Sequence, residues 1–187
     1  MKTLGIHTNY IRITATEPAM KAAEDISEKS YSHEGDCVVV YMGVEKDDEA
    51  APETVARKVA EDTIKRAQTL KANKIVVYPY VHLTQNPSSP RTALAVLKKT
   101  AELLEQSGLD VFRAPFGWYK GFEISAKGHP LSEWSGVFTA DEQEAEAEEK
   151  KEAKGPREKF TRYVAVDLEG VIYEIDPKEF EKCPIFK

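Results

Sequence analysis

Cysteine is nearly missing from this chain. Cys37 and Cys183 stand far apart, and neither belongs to a C-x-x-C pair. Two such residues read as reduced thiols rather than a disulfide framework. Long apolar runs are missing too. None approaches the roughly 20 residues that cross a bilayer, and the N-terminus lacks a basic stretch followed by an apolar one. A soluble cytoplasmic protein with no membrane partner is expected. The few histidines, His7, His33, His82 and His129, show no metal-ligand spacing, so neither a metal nor any other cofactor is expected. Nor is positive charge in excess. There are 26 Lys and Arg against 32 Asp and Glu, a net charge of −6. That argues against a surface coated for nucleic acid, although a local basic groove is compatible with it.

What is present is 187 residues, 41% of them hydrophobic, enough for one core and an appendage. Charge divides the chain. Residues 1–140 hold 18 acidic and 17 basic side chains, almost a balance. Residues 141–159 hold 8 acidic and 5 basic, with almost no large apolar residue. Such a segment can form a solvated helix but has no face to bury, and Gly155-Pro156 would stop it. A domain over 1–140 and a linker over 141–159 follow. Residues 160–187 regain apolar character. Two short runs around Leu168-Glu169-Gly170 have a hairpin pattern, and Asp176-Pro177 suits a short helix start.

Within the domain, residues 3–8 and 10–16 predict two strands joined by a tight turn at Asn9. Residues 17–35 are polar and read as irregular. The continuous apolar run over 37–44 suits a strand covered on both faces. Residues 53–72 predict a helix, with Pro52 in its first turn and Val55, Val59, Ala60, Ile64, Ala67 and Leu70 at helical spacing. A strand over 74–81 ends near His82, where α/β folds place chemistry, although a lone histidine there is often only a loop hydrogen-bonder. Ser89-Pro90 opens a second helix that Gly108 ends. A strand over 109–113 follows. His7 and His33 read as structural or solvated.

The stretch 114–134 organises the rest. From Phe116, alternation places Phe116, Trp118, Lys120, Phe122 and Ile124 on one strand face. Only Lys120 is polar there. A buried ammonium is costly unless it snorkels, finds a partner or loses its proton. One reading is a lysine snorkelling at a sheet edge. The other is a lysine held between aromatic walls, where burial tunes its pKa and fixes its aim.

The string Ala-Pro-Phe-Gly-x-Tyr-Lys-x-Phe at 114–122, followed by Lys-Gly-His-Pro-Leu at 127–131, resembles the N-terminal editing domain of archaeal threonyl-tRNA synthetases. Ile-His-Thr-Asn-Tyr-Ile at 6–11 and Val-Tyr-Pro-Tyr-Val-His-Leu at 77–83 are similar in kind and order. The resemblance covers about residues 1–140. It implies an α/β fold like that of D-aminoacyl-tRNA deacylases, a mixed curved sheet with two packed helices. It implies a homodimer that removes serine wrongly attached to threonine tRNA, acting on the acceptor end. The positions matching the family's functional residues are His82, Tyr119, Lys120 and Glu133. Val44, Ala114, Pro115, Phe116 and Gly117 correspond to its pocket lining.

The physical demand fits that task. Serine lacks one methyl of threonine, worth only about 1–3 kcal/mol of discrimination, so a second sieve is useful. Hydroxyl recognition cannot separate the two, but close walls can, and Gly43 and Gly117 would let backbone approach the substrate. Lys120 would stabilise charge, Glu133 would keep it protonated, and Tyr119 and His82 would hold the substrate end. The resemblance implies that the 2′-hydroxyl of the terminal adenosine helps activate the water. The alternatives are a D-aminoacyl-tRNA deacylase and a non-catalytic tRNA-binding or dimerisation module. A synthetase catalytic domain would act in cis, or a separate synthetase in trans.

Overall fold

Seventeen residues, Lys2–Pro18, form one strand, β1, in the computed structural model, which describes residues 1–140, 163–166 and 170–175. The turn expected at Asn9 is not there. The chain continues through it, with a bulge in its pairing between Thr8 and Tyr10. There Asn9 faces two residues, Gly35 and Asp36. Against the strand Trp118–Ala126 the extra residue is on β1, with Asn9 and Tyr10 facing Ser125 alone, and it reverses the side-chain alternation of β1. Leu4 and Ile6 before the bulge and Ile11 and Ile13 after it therefore meet the same apolar cluster.

β2 (Ser30–Gly43) lies antiparallel to β1 along almost its whole length. Its polar first half reads as irregular by composition. Pairing with β1 makes it a strand, as tertiary context often overrides β-propensity. Two parallel crossovers follow. The helix α1 (Pro52–Leu70) leads to β3 (Lys74–Pro79) beside β2, and α2 (Pro90–Gln106) leads to β4 (Asp110–Arg113) beside β3. β5 (Trp118–Ala126) and β6 (Glu133–Val137) then return antiparallel to β1, on its second and first halves. The sheet has six strands in the order β4-β3-β2-β1-β5, with β6 also on β1. The class is the expected one: α/β, with a mixed sheet and two packed helices. β6 gives no strand signal of its own, because five residues interrupted by Gly136 alternate too briefly.

Both helices cover one face. Val55 and Val59 of α1 and Leu97 and Leu104 of α2 pack on Val38, Val40, Ile75 and Val77. Pro52 stands at the start of α1, and the Ser89 hydroxyl caps α2 by accepting from the Thr92 amide at 3.3 Å. The other face closes on itself. Phe122 of β5 lies three strand spacings from β3, about 14 Å in a flat sheet. Its ring centroid is nevertheless 5.5 Å from that of Tyr78. The sheet is therefore strongly curled, and β5 bends over the end of β3.

The connection from β5 to β6 is pinned by β1. Buried His7 has Nδ1 2.9 Å from His129 Nε2 and Nε2 3.0 Å from Asp36 Oδ1. Lys127 pairs with the same carboxylate. Side chains from β1 and β2 thus hold the Lys127-Gly128-His129-Pro130 segment, which glycine and proline alone would only bend.

The chain divides into compact units Met1–Glu146 and Ala147–Lys187. In the second, β7 (Tyr163–Val166) and β8 (Ile172–Ile175) pair antiparallel. The expected linker at 141–159 and helix start at Asp176 lie outside the described residues. Among the described residues no helix is long and apolar enough to cross a membrane.

Lys71 ends α1 in the left-handed region, with φ 58°. A side chain there costs about 1 kcal/mol that glycine avoids, offset in part by glycine's freer unfolded chain. Lys71→Gly is therefore expected to stabilise the protein by roughly 0.5 kcal/mol in a denaturant melt.

Candidate active site

The parallel strands β2, β3 and β4 end together, and a cavity of about 450 Å³ opens there. Crevices at the carboxyl ends of parallel strands are where α/β folds bind ligands. Met42 and Val44 come from the end of β2, and Tyr78, Pro79 and Tyr80 from the end of β3. The first turns of α2 contribute Pro90 and Ala93. The other side is Phe116, Gly117 and the first residues of β5. The curl of the sheet brings these two sides together.

Lys120 points into this cavity from β5. Its ammonium lies 5.3 Å from the Tyr78 ring centroid and donates to the Trp118 carbonyl at 3.0 Å. Burial pushes its pKa down to about 8. The ammonium is thus mostly charged at neutral pH but held there without full solvation. Two of its three N–H donors remain for other acceptors. The aromatic-walled reading of this lysine matches the geometry, and the snorkelling one does not.

His82 and Tyr119 line the same cavity as Lys120. His82 sits on a short 3-10 turn, Val81–Leu83, beside Tyr80, with ring centroids 5.2 Å apart edge to face. Tyr119 is 59% exposed, at the mouth. Val44, Phe116 and Gly117 also line the space, as expected.

Three expected residues do not. Ala114 is fully buried behind the wall, where its amide donates to the Val77 carbonyl at 2.9 Å. Pro115 is likewise outside the lining. Glu133 is remote. On β1, Ala15 faces Lys120, whereas Glu133 faces Ile6, nine residues away and about 30 Å along the strand at roughly 3.3 Å per residue. Within one chain Glu133 does not pair with Lys120. The separation arises because β5 and β6 lie on opposite halves of the same strand.

The glycines also act differently from the expectation. A Cβ on Gly117, whose φ is +78°, would sit 2.8 Å from Ala23 Cα. A Cβ on Gly43 would press on the turn that carries His82, 3.1 Å from Leu83 Cβ. Both admit neighbouring protein backbone, not an open approach to a ligand.

The neighbour of Gly117 is the segment 19–24, which sequence reading passed over as polar. Ala19 and Met20 line the cavity. Ala19 N–H donates to the Gly117 carbonyl at 2.8 Å, and Glu24 N–H to the Phe116 carbonyl at 3.1 Å. The Glu24 carboxylate accepts two bonds from Arg113, at 2.6 and 2.7 Å, and one from the Phe116 amide at 2.9 Å. Its own carbonyl accepts from the Trp118 indole at 2.8 Å. Burial works to raise the Glu24 pKa, but Arg113, the Phe116 amide and Lys98 outweigh it and hold the carboxyl below its usual range. Partners 89 residues apart leave no periodic signal in a sequence.

The archaea-specific editing domain of threonyl-tRNA synthetase matches residues 1–138. Similar proteins include the threonine–tRNA ligase of Methanococcus aeolicus, 43% identical over 97% of this chain and 28% of that protein. That of Methanocaldococcus jannaschii is 46% identical over 81% of this chain and 24% of that protein. That of Thermococcus sibiricus is 36% identical over 96% and 29%. The chain thus spans about a quarter of the length of these relatives. With its match running from β1 through β6 and around the lysine-bearing cavity, this chain belongs to the archaea-specific editing domains of threonyl-tRNA synthetase.

Proposed function

We propose that the domain hydrolyses serine from mischarged tRNA(Thr), as a proofreading aminoacyl-tRNA deacylase. The observation that carries this reading is the Lys120 ammonium over the Tyr78 ring, in a cavity that His82 and Tyr119 also line. A cavity of about 450 Å³ suits an aminoacyl group together with a nucleoside, within the usual size of small-molecule sites.

Water attacks the ester carbonyl carbon, the carbonyl oxygen takes up negative charge, and the bond to the ribose oxygen breaks as that oxygen gains a proton. Lys120 stabilises the developing oxyanion from a partly desolvated site, where water screens it less. His82 and Tyr119 position the terminal adenosine. The 2′-hydroxyl of that adenosine helps activate the water, so no side chain has to serve as the base. The near-neutral charge of residues 1–140 fits binding at the acceptor end rather than along a phosphate track. The synthetase body, in cis or in trans, supplies the remaining contacts. The domain acts as a homodimer, and Glu133 takes part only across that interface, since its own Lys120 is out of reach.

Lys120→Met keeps the length and removes the charge. Seryl-tRNA hydrolysis is expected to fall by about 10²–10³, the usual cost of one oxyanion donor. Stability should be unchanged or higher, because a poorly solvated ammonium gives way to a thioether. A variant with undiminished hydrolysis would move the chemistry elsewhere, and preference for D-seryl over L-seryl esters would change the substrate.

The pH dependence has a definite sign. Burial lowers the lysine pKa, so the cation is present below about 8 and lost above it. The Lys120-dependent rate, wild type minus Lys120→Met, should be half lost near pH 8 and drop about tenfold per further unit. A tRNA ending in 2′-deoxyadenosine should be cleaved far more slowly, and equal cleavage would exclude help from the ribose. Sedimentation at rising protein concentration should show a dimer.

A further inference from the structure

The cavity has one wall that no part of the mechanism above uses. Phe116 and Gly117 face it on one side and carry the segment 19–24 on the other. That segment has no regular structure of its own. Its attachment is concentrated in Glu24, which binds the two residues flanking the wall, Arg113 before it and Trp118 after it, and the Phe116 amide within it. The Arg113 contact is bidentate, the strong and directional form of a charge-assisted bond. The fit at Gly117 is tight enough that even a methyl would clash with Ala23. The spacing of this wall is therefore set by the clamp.

We propose that Glu24 is a positioning residue that fixes the width of the pocket at Gly117 and Met20, and with it the preference for serine over threonine. The inference rests on the editing function proposed above. Glu24 touches no substrate. It acts through the backbone of Phe116 and Gly117 and through Met20, which lines the cavity. Separating serine from threonine requires rejecting one methyl, and a wall free to move by a fraction of an ångström would admit it. A carboxylate held by three donors removes that freedom. Replacing it with an amide puts N–H groups against Arg113 in either orientation, and in one of them against the Phe116 amide as well, so part of the clamp must open.

The test is Glu24→Gln in the full chain, with Lys98 and Lys120 left intact. Hydrolysis of L-seryl-tRNA and L-threonyl-tRNA is measured separately, together with circular dichroism and the tryptophan indole N–H resonances. The chain has only two tryptophans, so the Trp118 signal can be followed directly. The expected result is a folded protein with a shifted Trp118 resonance. Its ratio of seryl to threonyl hydrolysis should fall by roughly tenfold, at the low end of what one methyl is worth. The change should come mainly from faster threonyl hydrolysis. Arg113→Lys, which keeps the cation but not the planar fork, should move both readouts in the same direction by less. A folded Glu24→Gln protein whose ratio stays within about twofold of wild type, or in which both esters slow equally, would overturn the proposal. Should Glu24→Gln fail to fold, Arg113→Lys decides by the same outcomes. Wild-type protein inert on both esters would overturn the editing function itself, and this inference with it.

Discussion

The bulge in β1 is the constraint on which the rest of the molecule depends. A seventeen-residue strand with unbroken alternation would send Leu4 and Ile6 to one face and Ile11 and Ile13 to the other. The extra residue near Asn9 brings all four to one cluster. It also divides the strand into two pairing segments, one holding β6 and the other β5. The added bend lets β5 curl until Phe122 meets Tyr78. Without that curl, Lys120 would project from an open sheet edge, and the cavity would lack its second side.

Two partly buried charges, one beside this cavity and one within it, meet the same desolvation cost in opposite ways. Glu24 is compensated by Arg113, a backbone amide and Lys98, which leaves its carboxyl below the usual range. Such a group is a fixed structural point. Lys120 has only a carbonyl and an aromatic face, and its pKa drops to about 8. An under-compensated cation gains most when a negative charge arrives. Under the proposed mechanism the contrast divides the labour: the carboxylate holds the wall, and the ammonium meets the charge that develops in the reaction. His7 belongs with Glu24 in this respect. With both ring nitrogens engaged, it fixes the link between β5 and β6.

Local pattern carried a good part of the fold and less of the site. Both helices were legible because their apolar residues recur at helical spacing and their ends have proline, serine or glycine in the right places. The strand over 37–42 was legible because both its faces are buried. The polar half of β2 and short β6 were not, since each is a strand only through its pairing with β1. At the site, Lys120 stood out as the single charge on an apolar strand face. His82 stood out only as a strand-end histidine.

The amino-acid order by itself determined both helices, the apolar strands, the apolar face of β5 and the family to which the motifs point, because each rests on neighbours within a few residues. Tertiary structure decided which of those residues meet. It placed Lys120 against Tyr78, removed Glu133 from its side and brought the segment 19–24 onto Gly117. The physical reason is the same in each case: strand register and sheet curl are set by a bulge and by pairings between distant parts of the chain, and no local spacing encodes them.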